Sequence, residues 1–145
     1  MPTRTATTTW NGDLQSGSGT VEMTSSQVGT YEVSFPKRAA DEAGGTTSPE
    51  ELIAAAHSSC FAMQFSNQLA QAGGRDAQLT VRSDVTLSPD PAGGFRIRSS
   101  KITVRGTAEG VDNDAFVKAA EAAKVGCPVS KALTGIEITL DAALG

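Results

Sequence analysis

The stretch TTSPEELIAAAHSSCFAMQFSNQLAQAG, residues 46–73, predicts one long helix. Ser48 is a favourable N-cap, Pro49 follows at the first helical position, and Glu51 stands three residues after the cap, as in a capping box. The glycine pair at 73–74 is a typical stop signal. Between these ends, apolar residues fall on most of the helix circumference, so we expect a helix that is buried on nearly every side.

Burying such a helix in a small domain requires layers on more than one of its sides. The chain of 145 residues has the length of one ordinary domain, and we expect a single domain over residues 1–145. A chain of this size buries roughly two-thirds of its unfolded surface, so it needs no disulfide to fold. The helix is therefore expected to lie between sheets or against a copy of itself, and the two cysteines are available for other roles.

Charge and hydropathy argue against several classes of protein. A net charge of −4 and a pI near 4.9, with scattered basic residues, argue against a nucleic-acid partner. The N-terminal sequence MPTRTATTTWNG has no apolar run of signal-peptide length, and no segment reaches the about eighteen apolar residues of a membrane span. We therefore expect a cytoplasmic protein with no membrane partner, whose cysteines are reduced thiols.

The segments on either side of the helix have strand character. Residues 1–35 contain Asn11-Gly12 as a hairpin signal and predict a three-stranded meander, followed by a loop. Two further strands are predicted over 77–88 and 95–109. In the second of these, the inward-facing positions change parity near Ser99-Ser100, which predicts a β-bulge there.

The C-terminal part of the chain returns to helices before a last strand. A helix is predicted over residues 113–124, a short helix follows Cys127-Pro128, and a strand closes the chain over 134–144. Since strands come in adjacent runs, we predict an α+β fold with antiparallel sheets around the long buried helix.

The helix carries a thiol and the only histidine of the chain. A dry site alone would raise the pKa of Cys60 and leave it an inert core residue, so a reactive Cys60 needs a nearby cation or hydrogen-bond donors. His57, three residues earlier, could activate Cys60 or could be a hydrogen-bonded core residue. With Cys127 these residues give only three soft ligands and no Cys-x-x-Cys pair, so we expect no metal.

Two other residues occupy sequence positions that suggest a catalytic role. Cys127 stands directly before Pro128 and is the predicted N-cap of the short helix, where a thiolate is favoured; the alternative is a plain capping residue. Glu50 lies ten residues before Cys60, which is about 15 Å along a helix. If both serve one site, an arginine must bridge them or two chains must share the site. Otherwise Glu50 is a solvated first-turn acid.

Taken together, TTSPEELIAAAHSSCF and AAKVGCPVSKALTGIEITLD resemble the OsmC/Ohr family of organic-hydroperoxide peroxidases. The ordered elements are Ser-Pro-Glu-Glu-Leu, then Ala-His-x-x-Cys-Phe, then Gly-Cys-Pro-Val-Ser. The histidine version of the helix is similar to the OsmC branch. The resemblance covers nearly the whole chain, from Trp10-Asn11-Gly12 to the C-terminus.

The resemblance implies a role for each candidate residue. Cys60 matches the peroxidatic cysteine, which would be oxidised to a sulfenic acid, and Cys127 matches the resolving cysteine, which would close a disulfide with it. Glu50 matches the carboxylate that orients a catalytic arginine, and Arg38 is the candidate for that arginine. The family also implies an intertwined homodimer, which would answer the 15 Å separation between Glu50 and Cys60.

The resemblance further implies a thiol-dependent peroxidase that acts in oxidative-stress defence and uses no bound cofactor. Its substrate would be an organic hydroperoxide, and its reductant a dithiol such as a lipoylated protein. The alternative is a non-enzymatic dimeric domain of the same fold that binds a small apolar ligand, with the cysteines as core and cap. A general thiol–disulfide oxidoreductase is disfavoured because the chain lacks a Cys-x-x-Cys pair.

Overall fold

The computed structural model describes every residue from Met1 to Gly145. The chain forms two compact units, residues 1–52 and 53–145, which are described separately. The elements in chain order are β1 (Thr7–Asn11), β2 (Ser18–Glu22), β3 (Thr30–Val33), α1 (Phe35–Arg38), α2 (Pro49–Gln71), β4 (Arg75–Pro89), β5 (Phe95–Glu109), α3 (Asn113–Gly126), α4 (Pro128–Ala132) and β6 (Glu137–Leu144). This is the α+β class predicted from the sequence. The single domain stays a prediction.

The first unit contains the predicted meander, with strand order β1-β2-β3 and antiparallel pairing throughout. The turn between β1 and β2 begins at Gly12, whose φ of 92° lies in the region that favours glycine. Asp13 then holds the turn, because its carboxylate accepts the backbone N–H groups of Gln15 and Ser16 at 2.9 and 2.7 Å. The hairpin signal is confirmed, with a loop longer than two residues.

One helical turn, α1, lies where the sequence predicted only a loop. Ser34 caps it by accepting the Lys37 N–H at 3.4 Å, and Pro36 supplies a helix-compatible φ in the first turn. The capping serine and the proline were the available signal for this turn. The turn ends at Arg38, which it places before the loop that leads to α2.

The second unit contains a three-stranded sheet in the order β4-β5-β6. β4 and β5 are the predicted antiparallel pair, but β6 runs parallel to β5, so the expectation of purely antiparallel sheets is wrong for this strand. The physical reason is the connection: α3 and α4 lie between the two strands, and a helical crossover returns the chain in its original direction.

The β-bulge predicted near Ser99-Ser100 is present in β5. Thr86 pairs with Ser99 and Leu87 pairs with Ile97, which leaves Arg98 as an extra residue. Beyond the bulge, Ser100 shares one face of the strand with the two core residues Ile102 and Val104, because side chains alternate along a strand. All three side chains are fully buried.

The hydrophobic core of the second unit is built from one face of α2, one face of α3, and Ile102 and Val104 of β5. From α3 it takes the predicted face, Phe116, Ala119, Ala120 and Ala123, and from α2 it takes Phe61, Phe65 and Leu69. The rings of Phe65 and Phe116 meet edge to face, with centroids 4.9 Å apart. These contacts fix α2 against α3.

Within the single chain, α2 is not buried on nearly every side as the sequence predicted. His57, Phe61, Phe65 and Leu69 follow a four-residue spacing and form one buried stripe, while Met63 is 73% exposed. A helix covered on one face buries only the stripe that meets that face. The homodimer, in which a second chain would cover the remaining surface, stays a prediction. No helix combines the length and apolar character needed to cross a membrane.

Candidate active site

The structure brings the two cysteines of the chain together. The sulfur atoms of Cys60 and Cys127 are 3.1 Å apart and share a hydrogen bond, and both residues are free thiols. Cys60 projects from the middle of α2 and is partly buried. Cys127 is fully buried and is at once the C-cap of α3 and the N-cap of α4, as the sequence predicted for the N-cap. The two sulfurs can therefore form a disulfide after a small approach.

The environment of Cys127 favours its thiolate. Burial raises the pKa of this thiol, but the backbone N–H and hydroxyl of Ser130, the Cys60 thiol and the Val129 N–H together outweigh burial, so the pKa lies below its ordinary value. The sulfur makes no regular capping hydrogen bond to α4. These donors nevertheless stabilise the anion at the start of the helix.

The pKa of Cys60 moves in the opposite direction. Burial raises this pKa most, the Val129 N–H lowers it by a smaller amount, and the hydrogen bond and charge of Cys127 raise it further. No cationic side chain contributes to this pKa. The first thiolate of the pair therefore forms on Cys127, and a reactive Cys60 needs a cation in addition to these groups.

Arg38 and Glu50 form a close ion pair within the first unit. The Arg38 Nε donates to both carboxylate oxygens of Glu50 at 3.1 Å, and Nη2 donates to Oε1 at 2.7 Å. Glu50 is only 8% exposed, so it is not the solvated first-turn acid that the sequence left as an alternative. A fork of this kind fixes the plane of the guanidinium and leaves its other N–H donors free for a ligand.

The neighbouring Glu51 has other partners, so only Glu50 pairs with Arg38. The Ser48 hydroxyl accepts the Glu51 N–H at 3.1 Å, as expected of the N-cap, and the Glu51 carboxylate accepts a hydrogen bond from the Thr47 hydroxyl. Neighbouring glutamates at the start of α2 therefore have different partners.

An apolar cavity of about 300 Å³ lies beside the Arg38 guanidinium in the first unit. Its apolar lining includes Trp10, Leu14, Phe35, Pro49 and Leu52. The cavity offers a hydrocarbon surface with one cation at its wall, which suits a ligand that is apolar at one end and polar at the other.

His57 is fully buried, and serine hydroxyls occupy both of its ring nitrogens. Nδ1 is 2.7 Å from the Ser100 Oγ and Nε2 is 2.8 Å from the Ser130 Oγ. The hypothesis that His57 activates Cys60 directly is therefore wrong. His57, Cys60 and Cys127 form no cluster that could hold a metal ion. Burial lowers the pKa of His57, so the ring is neutral near pH 7.

The serines that hold His57 were missed in the sequence. Ser100 was identified only as part of a change in parity, and Ser130 only as part of the Gly-Cys-Pro-Val-Ser motif. A signal existed for Ser100, because after the bulge it occupies the inward-facing position two residues before Ile102.

Comparison with known proteins identifies relatives of the whole chain. The family model of OsmC-like proteins matches residues 41–141. The protein named Peroxiredoxin OsmC from Escherichia coli (strain K12) is 39% identical over 132 residues, which covers 91% of this chain and 90% of that protein. A protein of the same name from Shigella flexneri matches equally well.

Solved structures of the same fold were also found. An organic hydroperoxide resistance protein from Elizabethkingia anophelis superimposes with a TM-score of 0.77 at 27% identity, covering 100% of this chain and 98% of that one. The organic hydroperoxide resistance protein OhrB of Bacillus subtilis gives a TM-score of 0.70 at 24% identity, covering 97% and 98%. The second likeness concerns the fold alone.

Proposed function

The chain belongs to the OsmC-like protein family, and on that premise we propose that it is a cysteine-based peroxidase that reduces organic hydroperoxides to alcohols. The observation that carries the proposal is the 3.1 Å separation of the Cys60 and Cys127 sulfurs. Atoms this close are near attack distance, and a disulfide needs them at about 2.0 Å.

The proposed reaction has two chemical steps. The Cys60 thiolate attacks the terminal oxygen of ROOH, the O–O bond breaks, and the alkoxide leaves as an alcohol after it takes up a proton. Cys60 is then a sulfenic acid. The Cys127 thiolate attacks that sulfur, the hydroxide leaves as water, and a disulfide closes. Two electrons have passed from the thiols to the peroxide.

Arg38 is the proposed cation for the first step. Cys60 needs a positive charge to ionise, because burial and Cys127 both raise its pKa. The Arg38 guanidinium, held by Glu50, has donors left for a thiolate and for the peroxide oxygens. In the proposed homodimer, this pair and Cys60 would complete one site.

The apolar cavity beside Arg38 supports an organic substrate over hydrogen peroxide. Its aromatic and aliphatic lining would bind the alkyl group, and burying each CH₂ group contributes about 0.8 kcal/mol. Hydrogen peroxide has no group that could use this surface. A dithiol, such as a lipoylated protein, is the proposed reductant that reopens the disulfide by thiol exchange. The cytoplasm is the proposed compartment.

The test is stoichiometric. Pre-reduced protein is mixed with cumene hydroperoxide and, separately, with hydrogen peroxide, and free thiols are counted before and after. We expect fast loss of one organic peroxide and two thiols per chain, with slower loss of hydrogen peroxide. If no peroxide is lost and both thiols remain titratable after unfolding, the peroxidase is excluded, and a binding domain for a small apolar ligand takes its place.

Two variants separate the roles of the cysteines. Cys60→Ser should abolish peroxide consumption. Cys127→Ser should consume one peroxide per chain and then stop, because the sulfenic acid on Cys60 has no partner thiol. Steady turnover by Cys127→Ser at the wild-type rate with a dithiol would exclude the resolving role of Cys127.

A further inference from the structure

A chain of side-chain hydrogen bonds runs from Ser130 through His57 to Ser83. It passes from the Ser130 hydroxyl to the ring of His57, then to Ser100 and Ser83. Ser130 lies in the first turn of α4, three residues after the N-cap Cys127, and its hydroxyl is one of the groups that lower the pKa of Cys127. The distances between successive heavy atoms from Ser130 onward are 2.8, 2.7 and 2.9 Å. Ser83 is partly exposed, whereas the three residues before it are buried. The two reaction steps described above assign no role to these four residues.

The hydrogen bonds between these residues can have only two consistent sets of donor and acceptor directions. A neutral imidazole has one N–H donor and one acceptor, and each hydroxyl has one proton. If Nδ1 carries the proton, Nε2 accepts the Ser130 proton, and the Ser130 oxygen can only accept from a Cys127 S–H. If Nε2 carries the proton, it donates to Ser130, and the Ser130 O–H is free to donate to a Cys127 thiolate.

We propose that His57 is a positioning residue for the resolving cysteine: its tautomer sets whether the Ser130 hydroxyl accepts a proton from Cys127 or donates a hydrogen bond to its thiolate. Nδ1–H belongs with the Cys127 thiol, and Nε2–H with the thiolate. The tautomer coupling rests on the hydrogen bonds of His57 and on the position of Ser130 beside Cys127 at the start of α4, whereas its use in catalysis rests on the proposed function.

In the second step of that reaction, this chain of hydrogen bonds carries the Cys127 proton away. The sulfur gives its proton to Ser130, the Ser130 proton passes to Nε2, the Nδ1 proton passes to Ser100, and the Ser100 proton passes to Ser83, which releases one to solvent. The thiolate displaces hydroxide from the Cys60 sulfenic acid, and the hydroxide takes a proton from solvent. The products are one disulfide and one water.

No charged side chain competes with this arrangement. Facing Cys127, the titratable group is Cys60 on α2, and the other groups that shift its pKa are Ser130 and the Val129 N–H. His57 meets hydroxyls from β5 and α4, and only burial shifts its pKa. A buried histidine with no carboxylate partner stays neutral, so it can change tautomer without taking on a charge.

The first experiment observes the tautomer directly. His57 is the only histidine, so its ring ¹⁵N signals need no assignment, and in Cys60→Ser the only remaining thiol is Cys127. Thiolate absorbance at about 240 nm and the ¹⁵N shifts are followed over the same pH range. We expect the ring to change from the Nδ1–H to the Nε2–H tautomer, with the same midpoint pH as the Cys127 titration. One unchanged tautomer throughout would overturn the proposal.

Two serine variants calibrate this measurement. In Ser130→Ala, the ring should no longer follow the thiol, and the Cys127 midpoint should move to higher pH. In Ser59→Ala, both should remain as in the parent, because the Ser59 hydroxyl bonds only carbonyls of its own helix. Neither experiment uses peroxide. A protein whose tautomer follows Cys127 but which consumes no peroxide would lose the proposed function and keep the coupling.

The second experiment measures the two chemical steps after one equivalent of cumene hydroperoxide. His57→Leu should slow disulfide formation relative to sulfenic-acid formation by about tenfold, the equivalent of one hydrogen bond. His57→Gln places an N–H donor near Nε2 and should restore most of the rate. If both variants fold and close the disulfide at the wild-type rate, His57 does not position the resolving cysteine.

Discussion

At the scale of single residues, the two thiols are expected to change the stability of the reduced protein in opposite directions. The pKa of Cys127 is lower in the folded state than in the unfolded chain, so it adds stability as pH rises toward the ordinary cysteine value. The pKa of Cys60 is higher in the folded state, so stability falls as pH rises beyond that value. We predict a maximum near about pH 8.5.

Urea denaturation of the reduced protein between about pH 7 and 10 measures this effect. The double variant Cys60→Ser and Cys127→Ser provides the baseline for all other titrating groups. The difference between the two proteins should rise and then fall with pH. A difference that does not vary with pH would contradict the opposite shifts of the two thiols.

The Arg38–Glu50 ion pair leads to a second prediction for single residues. Arg38→Lys keeps the charge but loses the planar fork, so we expect kcat/KM for cumene hydroperoxide to fall by about 100-fold. The matched control is Arg82→Lys, because Arg82 also pairs with a carboxylate at 2.7 Å but lies in the open, with 74% of its side chain exposed. The control should keep wild-type kinetics. Equal kinetics for the two variants would remove Arg38 from the proposed mechanism.

The site could be predicted only in part at this scale. Cys60, Cys127, Glu50 and Arg38 were found in the sequence because their residue types and positions are unusual and because the family motifs contain the first three. Ser83 carries no such signal, since serine is common on strands and in turns, and Ser100 carries only its inward-facing position after the bulge. Their roles arise from the strand register, which brings Ser100 to His57 and Ser83 to Ser100.

At the scale of elements, the stability of α3 depends on its N-cap. The Asp112 carboxylate accepts the Ala115 N–H at 2.8 Å, and α3 ends at Gly126, with Cys127 as its C-cap. Asp112→Ala should lower the free energy of unfolding by about 1 kcal/mol, whereas Asp112→Asn, which keeps a capping oxygen, should stay within a few tenths of wild type. Thermal denaturation measures both. A loss in Asp112→Asn as large as in Asp112→Ala would indicate a role other than capping.

The elements themselves were largely predictable from local patterns. The α2 start at Ser48-Pro49, the buried face of α3 and the bulge in β5 all follow from residue spacing within one segment. The parallel pairing of β6 with β5 was not predictable in this way, because strand direction is decided by the path of the helices between them. The α1 turn was missed because four residues are too short for a periodic pattern.

At the scale of the whole molecule, the exposed side of α2 predicts a second copy of the chain. Met63 is 73% exposed on a helix with few charges, and in a homodimer packed through this helix it would be buried. Met63→Lys should therefore weaken the dimer. Val28→Lys is the control, because Val28 is equally exposed but lies in the loop between β2 and β3, outside the helix.

Sedimentation over a range of protein concentrations distinguishes these outcomes. The wild type and Val28→Lys should sediment as a dimer of 14.9 kDa chains, and Met63→Lys should dissociate at higher concentrations than either. A wild-type protein that is monomeric at every concentration would exclude the dimer. The apolar pattern of α2 predicted burial on nearly every side, by sheets or by a copy of the chain, and such a pattern does not say which chain covers the helix.

The extra residue in β5 limits how this sequence can change during evolution. Arg98 is exposed, and its side chain has no part in the core. Many amino acids should therefore be accepted at this position. Its deletion should not be, because regular alternation would turn the residues on one side of the bulge to the wrong face. The residue type at position 98 can therefore change, but the residue cannot be lost. We expect homologous strands to differ by substitution at this position and to keep their length.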